Sequence, residues 1–242
     1  MSGVAAGAVR WRLEVFAAVG LQFCVLLAIQ QIAGMTVLGW VLAVGYLVLL
    51  CVAVAAGHGR TEASIGPANL ITLARALLVG GVIALVATTV PNDATPTQRL
   101  LTVVLAVVAV ILDGVDGRVA RWTRTSSAFG ARFDIEIDSV LALALAIGLA
   151  WTLSPLALVI GLARYLYLAG ARIWPWLNIP LPSRQSRKVI GLLGGIALIF
   201  AAAEVTSDPV AIGVLAVAAA AVVFSFGRDI VAQFRLTRPA TR

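Results

Sequence analysis

Residues 99–153 read RLLTVVLAVVAVILDGVDGRVARWTRTSSAFGARFDIEIDSVLALALAIGLAWTL. Two apolar runs flank a polar stretch, 113–138, in which four of the chain's eleven acidic residues pair at helical spacing. Asp113 and Asp116 are i and i+3, so they share one face of a helix, and Asp134 and Asp138, i and i+4, do the same on the next. Both pairs sit where apolar segments begin or end, and an unpaired carboxylate there is costly. Four such groups converging repel one another unless cations sit between them. The spacing therefore predicts a two-metal site at a membrane surface, held by helices that continue into the bilayer.

The rest of the chain agrees with that placement. Of 242 residues, 61% are hydrophobic and 12% charged, and the mean hydropathy is +1.03. Soluble domains carry about 25% charged residues, so the sequence is that of an integral membrane protein. Eight stretches are long enough to cross a bilayer as helices, which takes ~20 residues each. They lie near 13–33, 36–56, 69–90, 99–121, 133–153, 155–173, 187–205 and 208–228. No alternating strand pattern argues for a barrel. The expected fold is all-α, a polytopic transmembrane bundle with little room for a soluble domain.

Charge orients the bundle. With both termini inside, the cytoplasmic segments collect Arg10, Arg12, Arg60, Arg118, Arg124, Arg132, Arg184, Lys188 and Arg235 among others. The external loops (34–35, 91–98, 154 and 206–207) hold no Lys or Arg, a strong positive-inside bias. The net charge of +7 thus describes topology and affinity for anionic lipid, and a nucleic-acid partner is not expected. Cys24 and Cys51 fall inside apolar helices, where core packing is the plain expectation and no disulfide is.

Residues 57–68, GHGRTEASIGPA, are the most polar break in the first half. The expected organisation is an accessory pair of helices over 1–57, a cytoplasmic linker over 58–68, a six-helix catalytic core over 69–230 and a basic tail over 231–242. A cytoplasmic loop with three prolines, Trp174 to Arg187, interrupts the core.

All-carboxylate ligation suits hard cations such as Mg²⁺ or Mn²⁺. His58 is the single histidine and lies in a loop, so zinc is not expected. Two such ions suit displacement at phosphorus, and a carboxylate at the edge of the pair can accept the proton of an attacking hydroxyl. Gly117 permits close approach of a ligand, Arg121 reaches toward the carboxylates or a phosphate, and Gly130 precedes the second pair by one turn. A divalent-cation transporter or channel is the alternative reading. It would need polar residues continuing across the bilayer, and the outer halves of these spans are almost wholly Ala, Val, Leu, Ile and Gly.

The segment D113-x2-D116-G117-x2-A120-R121-x8-G130-x3-D134-x3-D138 resembles, without departure, the signature of the CDP-alcohol phosphotransferases. Asn69, Thr72 and Arg75 in PANLITLAR resemble the opening of that family's first core helix. The resemblance implies transfer of a phosphatidyl-type group from a CDP-linked lipid such as CDP-diacylglycerol to an alcohol, with release of CMP. It further implies that Asp113, Asp116, Asp134 and Asp138 ligate two Mg²⁺ or Mn²⁺ ions and that Asp138 is also the general base. By the same resemblance Asn69, Thr72, Gly117, Arg121, Ser127 and Gly130 contact the CDP-lipid, and the protein is a homodimer among membrane lipids.

The acceptor stays open. Arg164, Arg172, Arg187 and Lys188 gather at the ends of the sixth and seventh spans, and an arginine as deep as Arg164 suggests an anionic group such as a phosphate. The region resembles that of members using glycerol 3-phosphate or inositol phosphate, the phosphatidylglycerophosphate and phosphatidylinositol phosphate synthase types. Where those carry a GK-KT-type element, this chain reads SRKVIG. The Arg-rich, Lys-poor composition fits a bacterial inner membrane, with the active site and both termini cytoplasmic.

Overall fold

A computed structural model describes residues 2–58, 67–90, 92–123, 128–181 and 185–237, without the side chains of 2–14, 57–58, 67–70, 115–123, 128–129 and 237. Among these residues all long elements are helical: α1 (Ser2–Ala33), α2 (Val37–His58), α3 (Pro67–Thr89), α4 (Pro96–Thr123), α5 (Ala128–Thr152), α6 (Leu156–Ile173), α7 (Gln185–Ala202) and α8 (Asp208–Thr237). Seven of the eight are long and apolar enough to cross a membrane, and the protein is an integral membrane protein built as a helical bundle. The helix outside that set is α5. Arg132, Asp134, Glu136 and Asp138 crowd its first turns, leaving the apolar run 139–153, which at 1.5 Å per residue covers only about 22 Å. The α8 helix runs well beyond the expected end at 228, because Arg228 and Asp229 find partners on α7 and need not leave the helix.

Contacts divide the chain into two compact units, Met1–Leu141 and Ala142–Arg242. In the first, α3 is the centre: 78% of its Ile71–Thr89 window is buried, against 17–28% for α1, α2 and α4. Small residues allow this. A Cβ on Gly81 would come within 3.0 Å of both Ile29 on α1 and Leu105 on α4, and one on Gly80 would meet the Gln22 side chain at 2.8 Å. Where side chains are absent, helix backbones approach closely in lipid. Leu26, Ala43 and Ala84, one from each of α1, α2 and α3, form a buried cluster flanked by Met35 and Trp40.

The two connections at one end of this unit are tied together by polar groups. Thr95 and Gln98 form a reciprocal cap on α4, Gln98 Oε1 accepting from the Thr95 N–H at 2.9 Å and Thr95 Oγ1 from the Gln98 N–H at 3.2 Å. The same Gln98 amide donates to the Ala33 carbonyl at 3.1 Å, one of the carbonyls that the C-terminus of α1 leaves without a helical partner. Gly34, with φ 71°, closes α1 in the left-handed conformation that glycine tolerates. Thr36 caps α2 through the Gly39 N–H, and its own N–H donates to Thr88 Oγ1 of α3 at 3.2 Å. Trp40 Nε1 donates to Gln30 Oε1 at 2.9 Å. The α1–α2 hairpin is thereby clamped to α3 and α4 in one compact unit.

In the second unit α8 packs against both α6 and α7. A Cβ on Gly161 would lie 3.1 Å from the Ala142 carbonyl oxygen, so α6 crosses the second half of α5 with backbones nearly touching. The segment expected as a loop after Trp174 holds a one-turn 3-10 helix, Pro175–Asn178. Gln233, 3% exposed, fastens it, donating to the carbonyls of Leu177 at 2.7 Å and Ile179 at 2.9 Å while Tyr167 OH donates to its Oε1 at 2.9 Å. Cys24 and Cys51 are free thiols, and Cys24 is exposed on α1 instead of packed in a core.

Candidate active site

The site in the first unit begins with helical periodicity on three elements. On α3, Thr72 and Arg75 are i and i+3 and so share a face, one turn after Asn69 in the sequence. Thr72 is 4% exposed and Arg75 1%. Asp113 lies fifteen residues beyond Gln98 on α4, a rise of about 22 Å from the capped end, and this brings its carboxylate level with Arg75 of α3. Asp134 and Asp138 come from the first turns of α5.

These three carboxylates meet: each offers an oxygen, and the oxygens lie within 4.8 Å of one another. At that separation two carboxylate charges repel by on the order of 3 kcal/mol even in a medium of effective dielectric 20. The side chains of Asp113 and Asp134 are about one-third exposed and that of Asp138 is 48% exposed, so the cluster opens outward. Behind it stands Arg75. Its Nη1 is 3.0 Å from Asp113 Oδ1, Nη1 also donates to Asp134 Oδ1, and Nη2 donates to Asp138 Oδ1. Burying a guanidinium costs several kcal/mol unless its donors are met, and these carboxylates take donors from both of its Nη nitrogens.

An oxygen-only donor set of carboxylates at this spacing fits Mg²⁺ or Mn²⁺ and does not favour softer metals. Asp116 lies three residues after Asp113 on α4; its side chain, like those of Gly117, Arg121 and Asn69, is outside the described residues, and Ser127 is outside them entirely. Gly130 is half-buried on α5, one turn before Asp134.

The residues expected to hold an acceptor phosphate all belong to the second unit. Arg164 is half-buried on α6, Arg172 is exposed in the last turn of α6, and Arg187 and Lys188 are exposed in the first turn of α7. Arg187 is also engaged: its Nε lies 2.9 Å from Oδ2 of Asp229, a residue of α8 that is 7% exposed. Beside that pair, Arg228 Nη2 donates to Ser186 Oγ at 3.2 Å.

Two residues carry more than their sequence positions announced. Arg75 was visible only as part of PANLITLAR, although an arginine inside an apolar helix is itself a functional signal. Asp229 carried the same signal, as an acid at the end of the eighth apolar run.

Comparison with known proteins adds one positive finding. The sequence model described as CDP-alcohol phosphatidyltransferase matches residues 65–226, more than half of the chain. No curated protein and no solved structure matches.

Proposed function

The chain belongs to the CDP-alcohol phosphatidyltransferase family, and from that premise we propose that it moves a phosphatidyl-type group from CDP-diacylglycerol or a related CDP-lipid to a polyol phosphate, releasing CMP. The observation that carries this reading is the meeting of Asp113, Asp134 and Asp138 within 4.8 Å at one end of the helices. Together with Asp116 they would hold two Mg²⁺ or Mn²⁺ ions, whose chemistry is to neutralise phosphate oxygens and orient a leaving group.

The chain's own residues supply the rest. Asp138, the most exposed of the three, takes the proton of the acceptor hydroxyl. That oxygen forms the new bond to the lipid-side phosphorus, and the bond from this phosphorus to the CMP oxygen breaks. Asp113, Asp116 and Asp134 would hold the cations that the reacting phosphates need. Asn69, Thr72, Gly117, Arg121, Ser127 and Gly130 contact the CDP-lipid, the glycines by leaving room and Arg121 by charge. Arg164, Arg172, Arg187 and Lys188 attract the acceptor phosphate, with glycerol 3-phosphate and inositol phosphate as the two candidates.

The active site and both termini face the cytoplasm of a bacterial inner membrane, in keeping with arginines at one set of helix ends. Residues 69–230 form the catalytic core, the hairpin over 1–57 is an accessory, and the protein works as a homodimer. Small-residue runs such as AIGLA (146–150) and GLLGG (191–195) suit close helix packing. Between Arg99 and Asp113 the α4 helix carries no charged residue, so it offers a permeating ion no charged site in that stretch, which favours an enzyme over a channel.

The test supplies purified protein with CDP-diacylglycerol, Mg²⁺ and, in turn, glycerol 3-phosphate, inositol 1-phosphate, inositol and serine. CMP release with one of the two phosphates is expected. Release only with inositol or serine overturns the phosphate assignment, and release with none overturns the acceptor class. Asp138→Asn should abolish turnover and keep CDP-lipid binding; normal turnover in that variant refutes the general-base role.

A further inference from the structure

We infer that Arg75 is a built-in counter-cation of the carboxylate cluster, a positioning residue that holds the three acids together and that a divalent cation must partly displace. The inference rests on the metal reading above and goes beyond it. One guanidinium reaches Oδ1 of Asp113, of Asp134 and of Asp138. Those carboxylates are the same three whose oxygens converge within 4.8 Å. A hard cation bound to this group sits about 2.0–2.1 Å from its carboxylate oxygens. An ion that close to all three would press against the guanidinium, so at least one of the Arg75 contacts has to open.

The choice of residue sharpens the competition. A lysine at this depth can shed its proton and leave the acids to the metal. Arginine keeps its charge at any working pH, so the opposition between guanidinium and ion is permanent. It is also rigidly placed: Arg75 is 1% exposed on the most buried helix of its unit, and its planar fork spans carboxylates from two other helices. Two consequences follow. The site stays assembled when an ion leaves, because one cation replaces another. The affinity for the ion is lower than three bare carboxylates would give, because part of the attraction is spent on opening Arg75 contacts.

The experiment compares wild-type protein, Arg75→Met and Arg75→Lys, each purified in detergent with Mg²⁺ and then stripped by chelator. Mn²⁺ binding is read from the electron paramagnetic resonance signal of the free ion, and thermal unfolding is followed with and without Mn²⁺. Arg75→Met is expected to melt well below wild type when stripped and to recover most of the difference with Mn²⁺. It should bind Mn²⁺ about tenfold or more tightly, since a like charge beside the ion has been removed. Arg75→Lys should fall between the two. Equal loss of melting temperature with and without Mn²⁺, at unchanged or weaker Mn²⁺ affinity, is what a merely structural arginine would give and overturns the inference. Failure of both variants to fold even in Mg²⁺ overturns it too, because the ion should stand in for the guanidinium. Wild-type protein that binds no Mn²⁺ overturns the metal reading and this inference with it, whereas wild-type binding with an unaltered Arg75→Met affinity overturns this inference alone.

Discussion

Two glycines of α2, six residues apart, should respond oppositely to the same substitution. A Cβ on Gly39 would meet Thr88 Oγ1 and would lie 2.7 Å from the Ala84 carbonyl oxygen, whereas a Cβ on Gly45 meets nothing within 4 Å. Gly→Ala within a helix ordinarily gains about 0.5–1 kcal/mol by reducing backbone freedom. At Gly45 that gain stands alone. At Gly39 the obstacle is backbone of the buried helix α3, which cannot rotate aside, so α2 must move outward by several tenths of an ångström. Overpacking of this kind costs about 1–3 kcal/mol. The shift also stretches the Thr36 contacts to Thr88, worth about 1 kcal/mol each. The balance is a loss of about 2 kcal/mol for Gly39→Ala, against a gain of up to about 1 kcal/mol for Gly45→Ala. For a chain of this size 1 kcal/mol moves the melting temperature by about 2–4 °C. Thermal unfolding of both variants in one detergent should therefore place Gly39→Ala about 4–8 °C below wild type and Gly45→Ala level with it or above. A Gly39→Ala protein as stable as Gly45→Ala would refute the close α2–α3 contact on which the clamp depends.

In the second unit, Arg187→Ala should cost more than Asp229→Ala. The first leaves a 7%-exposed carboxylate without its guanidinium, at about 3 kcal/mol, while the second frees a 41%-exposed arginine side chain to water, at about 1 kcal/mol. Chemical denaturation should also find the double variant less destabilised than the sum of the two, and strict additivity would mean that the pair does not interact. Gln233→Leu removes the side-chain donor to the Leu177 and Ile179 carbonyls and one acceptor of the Tyr167 hydroxyl, which still reaches the Leu177 carbonyl at 3.0 Å. A loss of about 1–3 kcal/mol is expected, read as a drop in melting temperature together with faster proteolysis in the 174–181 segment. A Gln233→Leu protein that melts with wild type and resists cleavage would show that the 3-10 turn is held by other means.

How much of this was legible beforehand varies element by element, and for physical reasons. Helix positions followed from hydropathy, because lipid leaves a backbone no partner but its own helix. The helices α3 and α6 fell within two residues of their expected ends. The carboxylates were legible too, since i, i+3 and i, i+4 spacing places acids on one helix face without reference to any neighbour. Harder to read were features joining distant residues. Gln98 looks like any polar residue in a turn, and only its contact with Ala33 gives it the task of capping another helix. Gly39 and Gly45 are equivalent as letters in a span, and what distinguishes them is which one faces Ala84.

The sequence by itself determined that the chain is a bundle of membrane helices, where they run, and that four aspartates stand at helical spacing around a polar turn. Each of those properties depends on residues a few positions apart and on the medium around them. Only the tertiary structure decided that α3 is the buried centre of its unit, that Arg75 reaches Asp113, Asp134 and Asp138, and that Asp229 holds Arg187. Those depend on which helix faces which and at what height. The heights are set by small residues and capped turns far along the chain, and no local spacing encodes them.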